Sequence, residues 1–191
     1  MSGTRWITVF GSARPKEGDP AYDEAVSVGR LIARHGFGLC NGGYFGTMEA
    51  SGKGAIEEDA SAKIRGITLA DFGQGNALLT EKVEAASLFD RIDLLMKDAA
   101  AFVILPGGTG TLLELAAVLE WSNKAFNRSQ PPIFLLRDFW ERVIQTVLPE
   151  LQENQRSPLA GRPVGKGSEP IQLCPDLNAL EAALVSLAKD S

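Results

Sequence analysis

The 191-residue sequence predicts a doubly wound α/β fold, a mostly parallel sheet with helices on both faces. Short runs rich in β-branched and aromatic residues alternate with longer stretches of helical periodicity along the chain. Three of the strand-like runs also end in glycine-containing loops that lead towards helices. A composition of 45% hydrophobic and 23% charged residues is that of an ordinary folded chain, which disfavours disorder, collagen-like repeats and coiled coil.

Arg5 to Gly11 (RWITVFG) stops at a tight Gly11-Ser12 turn and reads as the first strand. Beyond a polar loop with Pro15, Gly18 and Pro20, the residues Tyr22, Ala25, Val26, Gly29, Ile32 and Ala33 keep helical spacing up to a glycine stop at His35-Gly36. His35 reads as a last-turn residue facing the helix dipole. Gly38 to Asn41 gives the second strand, followed by the loop Gly42-Gly43-Tyr44-Phe45-Gly46 and a helix from Thr47 to Glu58. Lys63 to Leu69 is the third strand, and Ala70 to Leu79 is a loop suited to be a mobile cover. Thr80 to Ser87 fits strand and helix equally. Leu88 to Ala99 is helical, with Leu88, Ile92, Leu95, Met96 and Ala99 on one stripe. The unbroken apolar run Ala101 to Leu105 suits a central parallel strand covered on both faces. A helix from Thr109 to Phe126, a strand Pro132 to Leu136 and a helix Phe139 to Gln152 follow. A polar excursion then runs to Pro170, before a strand Ile171 to Cys174 and a closing helix Asp176 to Lys189. Right-handed crossovers join these elements into a single Rossmann-like domain over residues 1–191.

Nineteen basic and twenty-four acidic residues leave a net charge of −5, against a broad footprint for nucleic acid polymer or an anionic membrane. A small anion can still be held by local dipoles and one or two arginines. Two cysteines, Cys40 and Cys174, make no disulfide framework, and a lone histidine excludes a His-rich metal or haem site. No metal or cofactor is expected. The N-terminus enters a strand without a long apolar segment, so neither signal peptide nor membrane span is read and a cytoplasmic location is the expectation.

The chemistry-bearing residues gather at one edge. In a doubly wound sheet, ligands sit beyond the carboxyl ends of the strands, where strand order reverses. Gly11-Ser12, Gly42-Gly43-x-x-Gly46 and Pro106-Gly107-Gly108-Thr109-Gly110-Thr111 all follow strands, so they should meet there. Glycines allow close backbone approach, and free N–H groups opening the next helix attract an anion, so the expected ligand is a phosphate ester. Neither GxGxxG nor GxxxxGK[ST] is present, which disfavours a nicotinamide dehydrogenase and a P-loop NTPase. Glu114, three residues after Thr111, fits a capping box as well as a catalytic carboxylate. Arg91, on the rim of its helix's apolar stripe, fits a snorkelling arginine as well as an active-site cation. Trp6, Trp121 and Trp140 read as core or interface residues rather than a base-stacking set.

Together these residues resemble the LOG family, the cytokinin-activating phosphoribohydrolases labelled "possible lysine decarboxylase". PGGTGTLLE at Pro106 to Glu114 matches the family's PGGxGTxxE, and Arg91 stands the family's distance before that proline. GGYFGTMEA at Gly42 to Ala50 is similar to its glycine loop and Met-Glu-Ala, and VFGSARP at Val9 to Pro15 to its first phosphate-side loop. The resemblance runs from about residue 5 to 175. It departs at Arg91-Ile92, where the family commonly has Arg-Lys, and at Asn41-Gly42-Gly43, where it has three glycines.

The resemblance implies hydrolysis of the N-glycosidic bond of a nucleoside 5′-monophosphate to free base and ribose 5-phosphate. Arg91 and Glu114 would be catalytic. Gly11, Ser12, Gly42, Gly43, Gly46, Met48, Gly107, Gly108, Thr109, Gly110 and Thr111 would bind the nucleotide and its phosphate. Arg91 is expected to hold Glu114 ionised. The molybdenum cofactor carrier proteins, which resemble LOG proteins, give the alternative of a non-catalytic carrier of a phosphorylated pterin. Pyridoxal chemistry is disfavoured, because no lysine stands in a recognisable Schiff-base context. The helix after the PGG loop is apolar on two sides, Leu112, Leu115, Ala116 and Leu119 on one and Leu113, Ala117 and Trp121 on the other. One side should face the sheet and the other a second subunit, so a homodimer is expected, as the resemblance also implies.

Overall fold

The computed structural model describes residues 3–124, 130–146 and 171–189. In chain order the elements are β1 (Trp6–Phe10), α1 (Pro20–Arg34), β2 (Gly38–Asn41), α2 (Thr47–Glu58), β3 (Ile64–Leu69), a 3₁₀ turn (Ala70–Phe72), β4 (Glu81–Ala85) and α3 (Leu88–Lys97). They continue with β5 (Ala99–Ile104), α4 (Thr109–Lys124), β6 (Ile133–Leu136), the helical residues 141–146 (α5), β7 (Ile171–Cys174) and α6 (Leu177–Lys189). Every strand pair is parallel, in the order β4-β3-β2-β1-β5-β6-β7. The expected doubly wound α/β sheet is therefore the observed one.

Alternation along the strands divides the core into two layers. Ile7 and Val9 of β1 share one layer with Leu39, Ile64, Val103 and Phe134, beneath α1, α2 and α6. Trp6 and Phe10 share the other with Phe102, Ile104, Ile133 and Leu135, against α3, α4 and the start of α5. Ile7, Phe102 and Phe134 are no more than 1% exposed, and full burial of such side chains stabilises the fold by about 2 kcal/mol each. Trp6 and Trp140 are buried, as expected of core residues.

Local signals account for most boundaries. Pro20 opens α1, and a Schellman arrangement closes it, with Gly36 N–H donating to Ala33 and Phe37 N–H to Ile32. His35 is the C-cap, its ring 3.3 Å from the Glu181 carboxylate of α6. Thr80 to Ser87 resolves into the strand β4, an edge that pairs with β3 alone and keeps Lys82 and Glu84 exposed. The helix expected to reach Ala99 ends at Lys97, and Ala99 instead opens β5 beside Trp6. Alanine suits either element, so periodicity places no boundary there. The register then shifts between Trp6 and Ile7. Phe126, the far end of the helix expected to Gln152, and the polar excursion lie outside the described residues.

The tightest packing joins α1 to α2. A Cβ on Gly29 would overlap the Ser51 carbonyl, and one on Gly54 would overlap the Val26 carbonyl. Backbone is on the receiving side of both contacts and cannot rotate away. Gly54→Ala should therefore force the helices apart and destabilise the protein by about 2 kcal/mol, lowering Tm by roughly 4–8 °C in thermal unfolding. An unchanged Tm would mean that the two helices do not approach this closely.

Candidate active site

Strand order reverses at β1, which lies between β2 and β5. The loops after these three strands carry the glycines singled out in the sequence, and hydrogen bonds lock them together. Thr111 Oγ1 donates to the Gly11 carbonyl at 2.9 Å, tying the start of α4 to the loop after β1. Thr47 donates to the Ser12 carbonyl through both N–H (2.9 Å) and Oγ1 (3.1 Å), tying the start of α2 to the same loop. Gly46 is the N-cap of α2 at φ 69°, where a side chain would also strike the backbone of Ser12 and Ala13.

Asn41, which replaces a family glycine, organises the loop after β2. It is fully buried; its Oδ1 accepts from Gly43 N–H at 2.8 Å, while Nδ2 donates to the Met48 carbonyl at 3.0 Å and to Ser51 Oγ. The Asn-Gly-Gly sequence carried this signal, since an Asx side chain closes a turn on the backbone two residues on. Gly43 itself faces β3, packed against Gly66, and its carbonyl accepts from Asn76 N–H at 2.8 Å. Of the sequence-expected phosphate donors, Gly43 N–H and the Thr111 hydroxyl are thus committed inside the protein. Gly108, Thr109 and Gly110 stand exposed, ahead of the bond from Leu112 N–H to the Gly108 carbonyl, where helix donors lack intrahelical acceptors.

Arg91 is held one turn into α3. Ser87 caps that helix by accepting from Asp90 N–H, and the Asp90 carboxylate accepts from Ala86 N–H at 2.7 Å. The guanidinium points inward, which removes the snorkelling alternative. Its Nε donates to the Ile67 carbonyl at 2.7 Å and Nη2 to the Gly42 carbonyl at 3.2 Å. A Cβ on Gly42 would occupy the place of Nη2, with the Met48 sulfur close beside it. The Tyr44 ring centroid lies 5.7 Å from Arg91 Cζ.

Nη1 of Arg91 faces Glu114 Oε1 at 3.6 Å, and both side chains are largely buried, 11% and 14% exposed. Since α4 begins at Thr109 and Thr111 bonds to Gly11, the Thr111-x-x-Glu114 spacing is not a capping box. Burial pushes the Glu114 carboxyl up to about 7, and Arg91 draws it only part of the way back. Arg91 favours the ionised form of Glu114, the direction expected, but two of its donors serve backbone carbonyls and desolvation of the carboxylate is the larger effect. The arrangement offers a carboxyl poised to exchange a proton near neutral pH, beside a fixed cation and an exposed helix N-terminus.

The loop expected as a mobile cover is pinned where it meets this site. Asn76 Nδ2 donates to the Tyr44 carbonyl at 2.6 Å, and Tyr44 Oη bonds both the N–H and the carbonyl of Leu69. Neither Tyr44 nor Asn76 was singled out in the sequence, because each acts through backbone contacts that only folding creates. Ile92, at the position of the family's lysine, is buried. The cysteine thiols are buried too, and desolvation pushes Cys40 up to about 12 and Cys174 to about 11. Among the described residues, no group of three or more His, Cys, Asp or Glu is placed to hold a metal, and no helix is long and apolar enough to cross a membrane.

Residues 38–160 match the family model described as possible lysine decarboxylase. The chain belongs to this family, the LOG family. A relative from Rhodococcoides fascians, named cytokinin riboside 5′-monophosphate phosphoribohydrolase, is 31% identical over 69% of this chain and 67% of its own. Among solved structures, the molybdenum cofactor binding protein of Rippkaea orientalis superposes with a TM-score of 0.70 at 20% identity, over 98% of this chain and 99% of that one. The molybdenum cofactor carrier protein of Chlamydomonas reinhardtii gives 0.71 at 20% identity over the same shares. At such identity the structural likeness is one of fold.

The raised carboxyl makes a stability prediction. The native state binds the Glu114 proton more tightly than the unfolded chain, whose glutamate titrates near 4.5, so the burden is absent at low pH and grows as pH rises from 4.5 to about 7. Glu114→Gln removes it. The effect of this substitution on unfolding free energy should move towards stabilisation by about 2 kcal/mol between pH 5 and pH 8, measured by denaturant unfolding at both. A pH-independent effect would mean that the carboxyl titrates normally.

Proposed function

We propose that this LOG-family chain hydrolyses the N-glycosidic bond of a nucleoside 5′-monophosphate, releasing free base and ribose 5-phosphate. The observation that carries the reading is the buried Arg91–Glu114 pair beside the exposed start of α4. The 5′-phosphate takes the N–H groups of Gly108, Thr109 and Gly110, where the helix dipole favours an anion. Gly11, Ser12, Gly46, Gly107 and Thr111 shape that loop cluster, Gly42 and Met48 pack beside the Arg91 guanidinium, and Gly43 packs the loop after β2 against β3. The glycosidic bond breaks through an oxocarbenium-like state. As the C1′–N bond breaks and the water oxygen bonds to C1′, the ionised Glu114 takes the water proton, which then passes to the departing base nitrogen. Arg91 orients the carboxylate and a substrate oxygen.

The named activity of the Rhodococcoides fascians relative supports this reading. The names of the carrier-protein structures supply the alternative, a non-catalytic carrier of a phosphorylated pterin, but their likeness is one of fold. The decarboxylase label finds no chemical support. Lys53, Lys63 and Lys82 are engaged with Glu17, Thr4 and Glu84.

Purified protein incubated with AMP and a panel of nucleoside monophosphates should release base and ribose 5-phosphate. Glu114→Gln should lose at least about a hundredfold in kcat, the scale of removing a general base. The wild-type kcat/KM should rise with pH and level off above about 7. If nothing is released while AMP still raises Tm, the carrier reading takes over.

We also propose a homodimer through α4. Leu115, Val118 and Leu119 face the core, whereas Leu112 and Leu113 are 41% and 37% exposed, and Trp121, edge-on to Phe102, is 37% exposed. The outer face therefore comprises Leu112, Leu113, Ala116 and Trp121, a regrouping of the two sides expected from the sequence. Light scattering should give the mass of two chains, and Leu112→Glu should reduce it to one. A wild-type mass of one chain would remove the dimer.

A further inference from the structure

Arg91 divides its guanidinium among three partners, and the division depends on one peptide bond. Nη1 faces Glu114 Oε1 at 3.6 Å, Nε donates to the Ile67 carbonyl and Nη2 to the Gly42 carbonyl. A close end-on pair with the carboxylate would need Nη2 beside Nη1. Nη2 is withheld for as long as the Gly42 carbonyl points at it.

What aims that carbonyl is a side chain on the opposite edge of the same peptide. The Gly42–Gly43 peptide is trans, so its C=O and N–H point in opposite directions. Gly43 N–H donates to Asn41 Oδ1 at 2.8 Å, which turns the carbonyl towards Arg91. Glycine on both sides would otherwise let this peptide rotate at little steric cost. Asn41 is itself fixed: it is fully buried, and its Nδ2 donates to the Met48 carbonyl at 3.0 Å and to Ser51 Oγ at 3.3 Å, both in α2. A glycine at this place, the residue common in the family, could make none of these bonds.

The surroundings offer little else that acts on the carboxyl. Among the described residues Arg91, from α3, is the charged group whose field reaches Glu114. The loop after β2 contributes the Gly42 carbonyl and the Tyr44 phenol, which is bonded to Leu69, and β3 contributes the Ile67 carbonyl. We infer that Asn41 is a positioning residue for this site: by holding the Gly42–Gly43 peptide it keeps one arm of the Arg91 guanidinium off Glu114 and leaves the carboxylate able to take a proton. The use made of that proton rests on the phosphoribohydrolase reading, whereas the positioning itself does not.

The pH dependence of kcat/KM for AMP hydrolysis should be measured for the wild type, Asn41→Gly, Asn41→Ser and Ser51→Ala, alongside Tm. The titration of Glu114 should be followed without substrate by carbon NMR of carboxyl-labelled glutamate, with Glu114→Gln identifying the resonance. In Asn41→Gly the peptide is freed and Nη2 joins Nη1 on the carboxylate, so both midpoints should fall by about one pH unit, the lower end of what an adjacent arginine does to a carboxyl. Asn41→Ser, whose hydroxyl closes the same turn more weakly, should lie between the two. Ser51→Ala removes one acceptor of the Asn41 amide but leaves the Gly43 bond, so it should lower Tm and leave both midpoints in place. Unchanged or raised midpoints in Asn41→Gly, or an equal fall in Ser51→Ala, would overturn the positioning role. Should Asn41→Gly fail to fold, the midpoint of Asn41→Ser decides in the same way. If no variant hydrolyses a nucleotide while the NMR midpoint falls as expected, the positioning role stands and the hydrolase reading fails.

Discussion

The chain leaves β1 through α1 towards β2 on one side and reaches the other side of β1 only at β5, and the site depends on that reversal. The helix after β1 lies on one face of the sheet and the helix after β5 on the other, so their connecting loops part and leave a crevice. A crevice alone would be loose. Thr111 bonded to Gly11, and Thr47 bonded to Ser12, draw the starts of α4 and α2 onto the loop after β1. Gly46 and Gly42 permit this closeness, because a side chain at either would occupy space held by the Ser12–Ala13 backbone or by Arg91. Rigidity on this scale is what positioning a reacting atom requires.

Within that frame, the acid–base character of Glu114 results from a contest between burial and one cation. Arg91 is buried beside it, but its guanidinium is shared among the carboxylate and the carbonyls of Ile67 and Gly42. Those carbonyl bonds fix the guanidinium plane and also keep it at 3.6 Å, short of a close bidentate pair. Desolvation therefore prevails and the carboxyl titrates near neutrality. A closer pair would make a more stable ion pair and a poorer proton acceptor, since an acceptor works best with its pKa near the working pH.

Sequence patterns revealed the frame more fully than the contacts. Alternating strand and helix signals gave the parallel sheet, and glycine loops after strands gave the edge where Arg91 and Glu114 meet. Four features escaped for physical reasons. β4 (EKVEA) pairs on one side only, so it lacks the apolar run of a central strand. Ala99 suits helix and strand alike. The capping box legible at Thr111-x-x-Glu114 does not form, because the tertiary partners of Thr111 and Glu114 outcompete a local bond. Similarly, the loop at 70–79 read as free because its anchors, the Gly43 and Tyr44 carbonyls, lie some thirty residues away in sequence.

Ile92 connects the family pattern to the chemistry of this chain. Where LOG proteins commonly carry a lysine after the arginine, this chain buries an isoleucine one step around α3 from Arg91. The substitution adds apolar surface to the helix and removes a positive charge from its neighbourhood. Arg91 is then the cation whose field reaches Glu114, opposed by desolvation. A second positive charge nearby would favour the carboxylate and lower its pKa, by the same electrostatics through which Arg91 acts. At position 92 this chain thus places packing where the family commonly has charge, and the balance at Glu114 is left to burial and Arg91.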